Sequence, residues 1–164
     1  MKWATGIGLG VLLFLIWEWN KVRELRDYNP LGVNKSERYA PDTSVLVTDE
    51  NGNPVMDGPL YRFLTYEAGI AEAAHILNDL YFTRNGWNTP NLIAYHWTGH
   101  PKGAYTGKDI VAEMDDSNIT PDTPLNFMTQ GASLMNAIAI NENGEAARMI
   151  PFSDYKEAVE RELA

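Results

Sequence analysis

Residues 65–81 read Thr-Tyr-Glu-Ala-Gly-Ile-Ala-Glu-Ala-Ala-His-Ile-Leu-Asn-Asp-Leu-Tyr. Thr65 supplies a side-chain oxygen that can cap a helix. Ile70, Ala73, Ala74, Leu77, Leu80 and Tyr81 then recur at three- and four-residue intervals, which puts them on one buried face. Asn85-Gly86 ends the pattern. The same rhythm returns downstream. Thr89-Pro90 opens a helix to about Trp97, with Leu92, Ile93 and Tyr95-His96-Trp97 on its core side. Lys108 to Met114 is a short helix closed by Asp115 and Asp116. Thr123-Pro124 opens a longer one carrying Leu125, Met128, Leu134, Met135, Ile138 and Ala139, and Asn143-Gly144 terminates it. Ser153 to Leu163 is a last amphipathic segment. Strand signals are confined to Thr43–Thr48, which a turn at Asp49–Pro54 folds back onto Val55-Met56 before Gly58-Pro59 breaks the pairing. The fold class is mainly α with a small β-hairpin, an α+β arrangement.

The N-terminus has a different character. Trp3 to Trp17 is an uncharged stretch of fifteen residues, shorter than the roughly 20 that span a bilayer core. Trp3, Trp17 and Trp19 bracket it at headgroup level and extend its reach. A secretory signal peptide is the competing reading, but no small-residue cleavage site follows. The sequence therefore predicts two parts: residues 1–27, an N-terminal single-pass membrane anchor with a juxtamembrane helix, and residues 28–164, an acidic domain outside the bilayer. Positive charge stands on both sides of the span, so orientation stays open. Gly6 and Gly10 have the spacing of a helix-pairing motif.

The chain has 164 residues and a formal net charge of −9. Such an acidic surface repels phosphate backbones and disfavours nucleic acid as a partner. Cysteine is absent, which removes disulfides, thiolate metal sites and cysteine nucleophiles. No phosphate-binding glycine loop or Gly-x-Ser-x-Gly elbow is present, and Ser133 has no evident base. His96 and His100 are four apart, yet Gly99 and Pro101 break the helix that would align them. Asp109 is the only further ligand in view, so no metal or cofactor is expected. His75 reads as a satisfied helix histidine.

Glu142 is the carboxylate with a distinctive position. It follows Ala137-Ile138-Ala139-Ile140 and precedes Asn143-Gly144, at the C-terminal end of a buried helix. The helix dipole and desolvation both disfavour its charge there, which suits a general acid that protonates a glycosidic oxygen. The ordinary alternative is an exposed glutamate on a frayed helix end. A second carboxylate, needed by a hydrolase, would come from Glu145, Asp154 or Glu67. Tyr95, Trp97 and Tyr105 are candidates for stacking on sugar faces.

The order of motifs resembles that of a group of small bacteriophage virion structural proteins. Asn29-Pro30-Leu31-Gly32-Val33 is similar to their Asn-Pro-Gly-Asn-Ile opening, and Phe63-Leu64-Thr65-Tyr66-Glu67-Ala68-Gly69-Ile70 to their Phe-x-Ser-Pro-Glu-x-Gly-Ile segment. Asn88-Thr89-Pro90-Asn91-Leu92-Ile93 with Trp97, then Glu142-Asn143-Gly144 and Pro151-Phe152-Ser153, resemble the elements that follow. Asn141 stands where the group has His, and Leu31 precedes the Gly. That group in turn looks like the lysozyme superfamily. The resemblance implies a lysozyme-like domain, with Glu142 as the acid of a muramidase or lytic transglycosylase acting on peptidoglycan during host penetration. The alternative it leaves is a non-catalytic membrane structural protein that ties a virion's internal membrane to capsid or vertex proteins.

Overall fold

The computed structural model describes residues 28–34, 40–99 and 104–164. The anchor and juxtamembrane helix expected in residues 1–27 lie outside them, as does His100. Among the described residues no helix is long and apolar enough to cross a membrane.

The described chain is mainly helical with one two-stranded antiparallel sheet. Strand β1 (Met56–Asp57) pairs with β2 (Leu60–Tyr61), Met56 opposite Tyr61 and Asp57 opposite Leu60. Gly58-Pro59, read from sequence as a break, is instead the hairpin turn. Gly58 has a φ of +62°, which suits the first position of a tight two-residue connection. The hairpin expected between residues 43–48 and 55–56 is reduced to a single bridge, Thr48 opposite Pro54. The cause is local. Thr43–Val45 winds into a 3₁₀ turn capped by Asp42, Pro54 has no N–H to donate, and Asp49 Oδ1 takes the amides of Asn51 and Asn53. The Val55 amide still donates to Val47 O at 2.8 Å, and the β-prone residues also pair elsewhere: Val47 donates to Arg62 O at 2.9 Å and Leu64 to Val45 O at 3.0 Å.

Helix α1 (Tyr66–His75) is capped by Thr65, whose Oγ1 accepts from the Ala68 amide at 3.1 Å. It continues without interruption as a nine-residue π-helix, Ile76–Arg84. Asp79 and Arg84, five apart, form an ion pair at 2.6 Å across the wide turn, and the Asn85 carboxamide donates to Leu80 O, closing the end. Helix α2 (Pro90–Trp97) begins with Pro90 behind the Thr89 cap. Its core side is narrower than the sequence suggests: Ile93 and Ala94 are buried, whereas Leu92 and Tyr95 are exposed. Helix α3 (Gly107–Met114) starts where Asp109 reaches back to the Thr106 amide and hydroxyl, both at 2.7 Å.

Helix α4 (Phe127–Asn143) is the central element, with Leu134, Met135, Ala137, Ile138 and Ala139 wholly buried. It opens at the Asn126 cap rather than at Thr123-Pro124. Thr123 is drawn into a turn with Thr120, its hydroxyl accepting the Thr120 amide at 2.9 Å, so Leu125 is buried but not helical. Met128, expected on the apolar side, is exposed. A 3₁₀ segment (Gly144–Met149) leads into α5 (Phe152–Glu162), which buries Tyr155, Ala158 and Val159 and leaves Leu163 exposed. Helix α4 packs between α3 and α5, α5 also covers α1, and α2 lies on α3.

The segment at residues 29–33 binds this helical body to the hairpin. Asn29 is fully buried. Its Nδ2 donates to Val33 O at 2.7 Å and Tyr61 O at 3.0 Å, while its Oδ1 accepts the Val33 amide at 2.7 Å. Truncating it would strand buried backbone groups, each worth about 1–3 kcal/mol when left unpaired. We therefore expect Asn29→Ala to destabilise the chain by roughly 3 kcal/mol, read as a lower urea midpoint with an unchanged slope; a shift under a third of that would contradict the role assigned to this carboxamide.

Candidate functional site

Glu142 lies in the last turn of α4, half-buried, with its neighbour Asn143 buried. Asn143 Nδ2 donates to Pro30 O at 2.8 Å and to Ala139 O at 3.2 Å. The helix end is thereby tied to the Asn29–Gly32 turn, which closes through Gly32 N to Asn29 O at 3.1 Å. From the other side, Trp97 Nε1 of α2 donates to Leu31 O at 2.8 Å. Gly32 has a φ of +69°, and a β-carbon placed on it would fall 3.3 Å from Cδ and Oε2 of Glu142. The carboxyl of Glu142 thus packs against this turn.

Tyr105 completes the surroundings. It is buried, and its hydroxyl faces the Glu142 carboxyl. Burial pushes the phenol well above its ordinary range, and the neighbouring Glu142 carboxylate pushes it further, through its charge and through a hydrogen-bond interaction with the hydroxyl. The phenol therefore stays protonated across the physiological range.

Beyond Gly32 a cleft of about 90 Å³ opens, walled by Gly32, Asn34, Ile76, Tyr81, His96 and Trp97 among others. Ile76, Leu80 and Tyr81 come from the π-helix, whose i→i+5 bonding brings residues four and five apart onto one side. Aromatic rings continue from this wall in a row. Trp97 lies 5.5 Å from Tyr81, and Tyr81 meets Trp87 edge-on at 5.4 Å. Trp87 stacks on His96 at 3.5 Å, and Tyr95 meets His96 edge-on at 4.9 Å.

The residues expected to bind sugar separate into three positions. Trp97 walls the cleft, Tyr105 is buried beside Glu142, and Tyr95 is exposed at the outer end of the aromatic row. Of the carboxylates considered as partners for Glu142, Glu145 is exposed and paired with Arg148 at 3.1 Å. Glu67 and Asp154 wall a separate groove between α1 and α5, of about 250 Å³, together with Glu157 and Arg161. Gly32, Tyr81 and His96 were missed as cleft residues. Tyr81 was read as part of a buried helix face and His96 only for its spacing from His100. Ser133 donates to Met114 O at 3.2 Å and serves as a helix–helix contact.

Among the described residues no group of three His, Asp or Glu side chains is placed to hold a metal ion. No family model matches the chain, and no curated protein matches it.

A second titratable cluster joins α1 to the end of α5. His75 Nδ1 meets Glu162 Oε1 at 3.1 Å, and Asn78 Nδ2 donates to the same oxygen at 3.1 Å. Glu72 lies nearby with a buried, unpartnered Oε1. Burial raises its pKa above the ordinary 4.5, Glu162 adds to the rise, and His75 opposes it. Folding favours the protonated form, so the associated stability is present below about pH 4.5 and is lost as pH rises through the raised value. Glu72→Gln should match the wild-type Tm near pH 4 and exceed it by roughly 1–2 °C near pH 7, after allowance for solvent screening. Differential scanning fluorimetry across that range checks it, and an equal offset at both pH values would remove the linkage.

Proposed function

We propose that this chain is a bacteriophage virion protein, tethered to a lipid bilayer by residues 1–27, whose helical domain cleaves peptidoglycan glycan strands with Glu142 as general acid. The observation that carries the catalytic part is the seat of Glu142. A carboxyl at the end of a buried helix lies between a buried, protonated tyrosine and a glycine that belongs to a cleft wall. The end of a helix suits a proton-donating carboxyl, since the negative pole of the helix dipole opposes its charge.

Among the described residues, none of the three carboxylates considered as a partner walls the cleft beside Gly32, and we take the chemistry that needs only one. Hydrolysis with either stereochemical outcome uses two carboxyl groups about 5–9.5 Å apart. Glu67 and Asp154 wall a different groove, and Glu145 is taken by Arg148. A transglycosylase needs one. Glu142 gives its proton to the glycosidic oxygen as the C1–O bond breaks. The same sugar's 6-hydroxyl oxygen then bonds to C1, and its proton returns to the Glu142 carboxylate. The product ends in a 1,6-anhydro sugar, and water is not consumed.

The size of the cleft favours a second reading. At about 90 Å³ it is well below the roughly 300–1,000 Å³ typical of ligand pockets. The side chains of Asn29, Trp97 and Asn143 are committed to holding the turn. On that reading the domain is a non-catalytic structural protein that links a virion's internal membrane to capsid or vertex proteins.

One experiment separates the two. The full chain in detergent is incubated with purified peptidoglycan, and released fragments are analysed by mass spectrometry beside Glu142→Gln. The enzyme reading expects anhydro-muropeptides from the wild type and a loss of about 10²–10⁴-fold in the variant. Reducing-end products would replace the transglycosylase with a hydrolase. No product from a folded chain would leave the structural reading.

A further inference from the structure

Gly32 belongs to two environments at once. Its backbone is part of the cleft wall beside Tyr81, His96 and Trp97. A β-carbon on it would lie 3.3 Å from Glu142 Cδ, 3.3 Å from Oε2 and 3.7 Å from Cγ. The first two separations are tighter than ordinary van der Waals contact.

Left-handed backbone alone does not distinguish this glycine. Gly52, Gly86, Gly99 and Gly144 also have positive φ, yet a β-carbon on any of them would meet nothing within 4 Å. At Gly32 the same conformation is combined with direct contact to one functional side chain. The turn that carries it has little room to yield. Asn29 fixes Val33 and Tyr61, Trp97 holds Leu31 O, and Asn143 holds Pro30 O. Because Asn143 directly follows Glu142, the helix end and the turn are locked in register.

We propose that Gly32 is a positioning residue for Glu142: its missing side chain seats the Glu142 carboxyl against the cleft wall, and the clamped turn holds that seat fixed. The inference rests on the acid role proposed above. An added methyl group would displace the flexible carboxyl rather than the tied turn, by a few tenths of an ångström. Small misplacements of a catalytic group are costly in rate but not in substrate affinity.

The test compares the full-length wild type with Gly32→Ala and Gly86→Ala. Gly86 has a φ of +64° and open space around it, so its alanine carries the backbone strain without the contact. Two quantities are read: kcat and KM for release of anhydro-muropeptides, and the titration of the Glu142 carboxyl by ¹³C NMR, assigned with Glu142→Gln. Gly32→Ala should lower kcat about tenfold with KM within about twofold, and move the Glu142 midpoint by about half a unit or more. Gly86→Ala should do neither. An unmoved Glu142 titration in Gly32→Ala, or an equal change in Gly86→Ala, overturns the positioning role. A moved titration in a protein whose wild type releases no product keeps the seat and removes the catalytic reading. If Gly32→Ala does not fold, Trp97→Phe deletes the indole bond to Leu31 while keeping a ring. It loosens the same turn, and an unchanged Glu142 titration there overturns the proposal as well.

Discussion

Asn29 presents a fully buried carboxamide to three backbone groups, two from Val33 and one from Tyr61, and the geometry around the cleft follows from that arrangement. A buried amide can be tolerated only when its donors and acceptor are satisfied. Here the satisfied groups belong to the residues that bring the hairpin onto the helices. With the turn fixed, its remaining outward carbonyls, Pro30 O and Leu31 O, become acceptors for Asn143 at the end of α4 and Trp97 at the end of α2. Two helices far apart in sequence are thus aligned through consecutive peptide groups. Gly32 follows directly, and its place beside Glu142 is set by the three clamps together.

The helices were legible in the sequence because their signals are local. Thr65, Thr89 and Asn126 are side-chain caps, and Thr65 and Thr89 mark the starts of α1 and α2. The apolar spacing of Ile70 to Tyr81 correctly gave a buried face. The π-helix was not legible, since Ile76 to Arg84 carries the same apolar rhythm that an α-helix would. The expected hairpin is shortened, and a second pairing was not legible, for a similar reason. Val45 to Val47 has strand propensity, but its partner, residues 62–64, was decided by long-range packing.

The candidate site was legible in part. The position of Glu142 at a helix end could be inferred from Ala137–Ile140 and the following Asn143-Gly144. Its neighbours could not. Tyr105 arrives from a loop, Gly32 from a turn more than a hundred residues away in sequence, and Tyr81 from the π-helix. Of the three aromatic residues singled out from sequence, only Trp97 walls the cleft. Tyr105 instead lies buried beside the carboxylate and offers no open ring face.

Tyr28 meets Tyr66 edge-on at 4.7 Å, and its carbonyl rests directly on Gly69 of α1. A methyl group in place of the Gly69 hydrogen would collide with that backbone oxygen. The chain therefore joins the domain along α1, one residue before the Asn29 clamp. Any tension applied through the residues that precede Tyr28 meets its contacts with Tyr66 and Gly69 first and the Asn29 carboxamide next. Its hydrogen bonds to Val33 and Tyr61 then share the load, and the turn beside Glu142 is the next part of the domain to feel the pull.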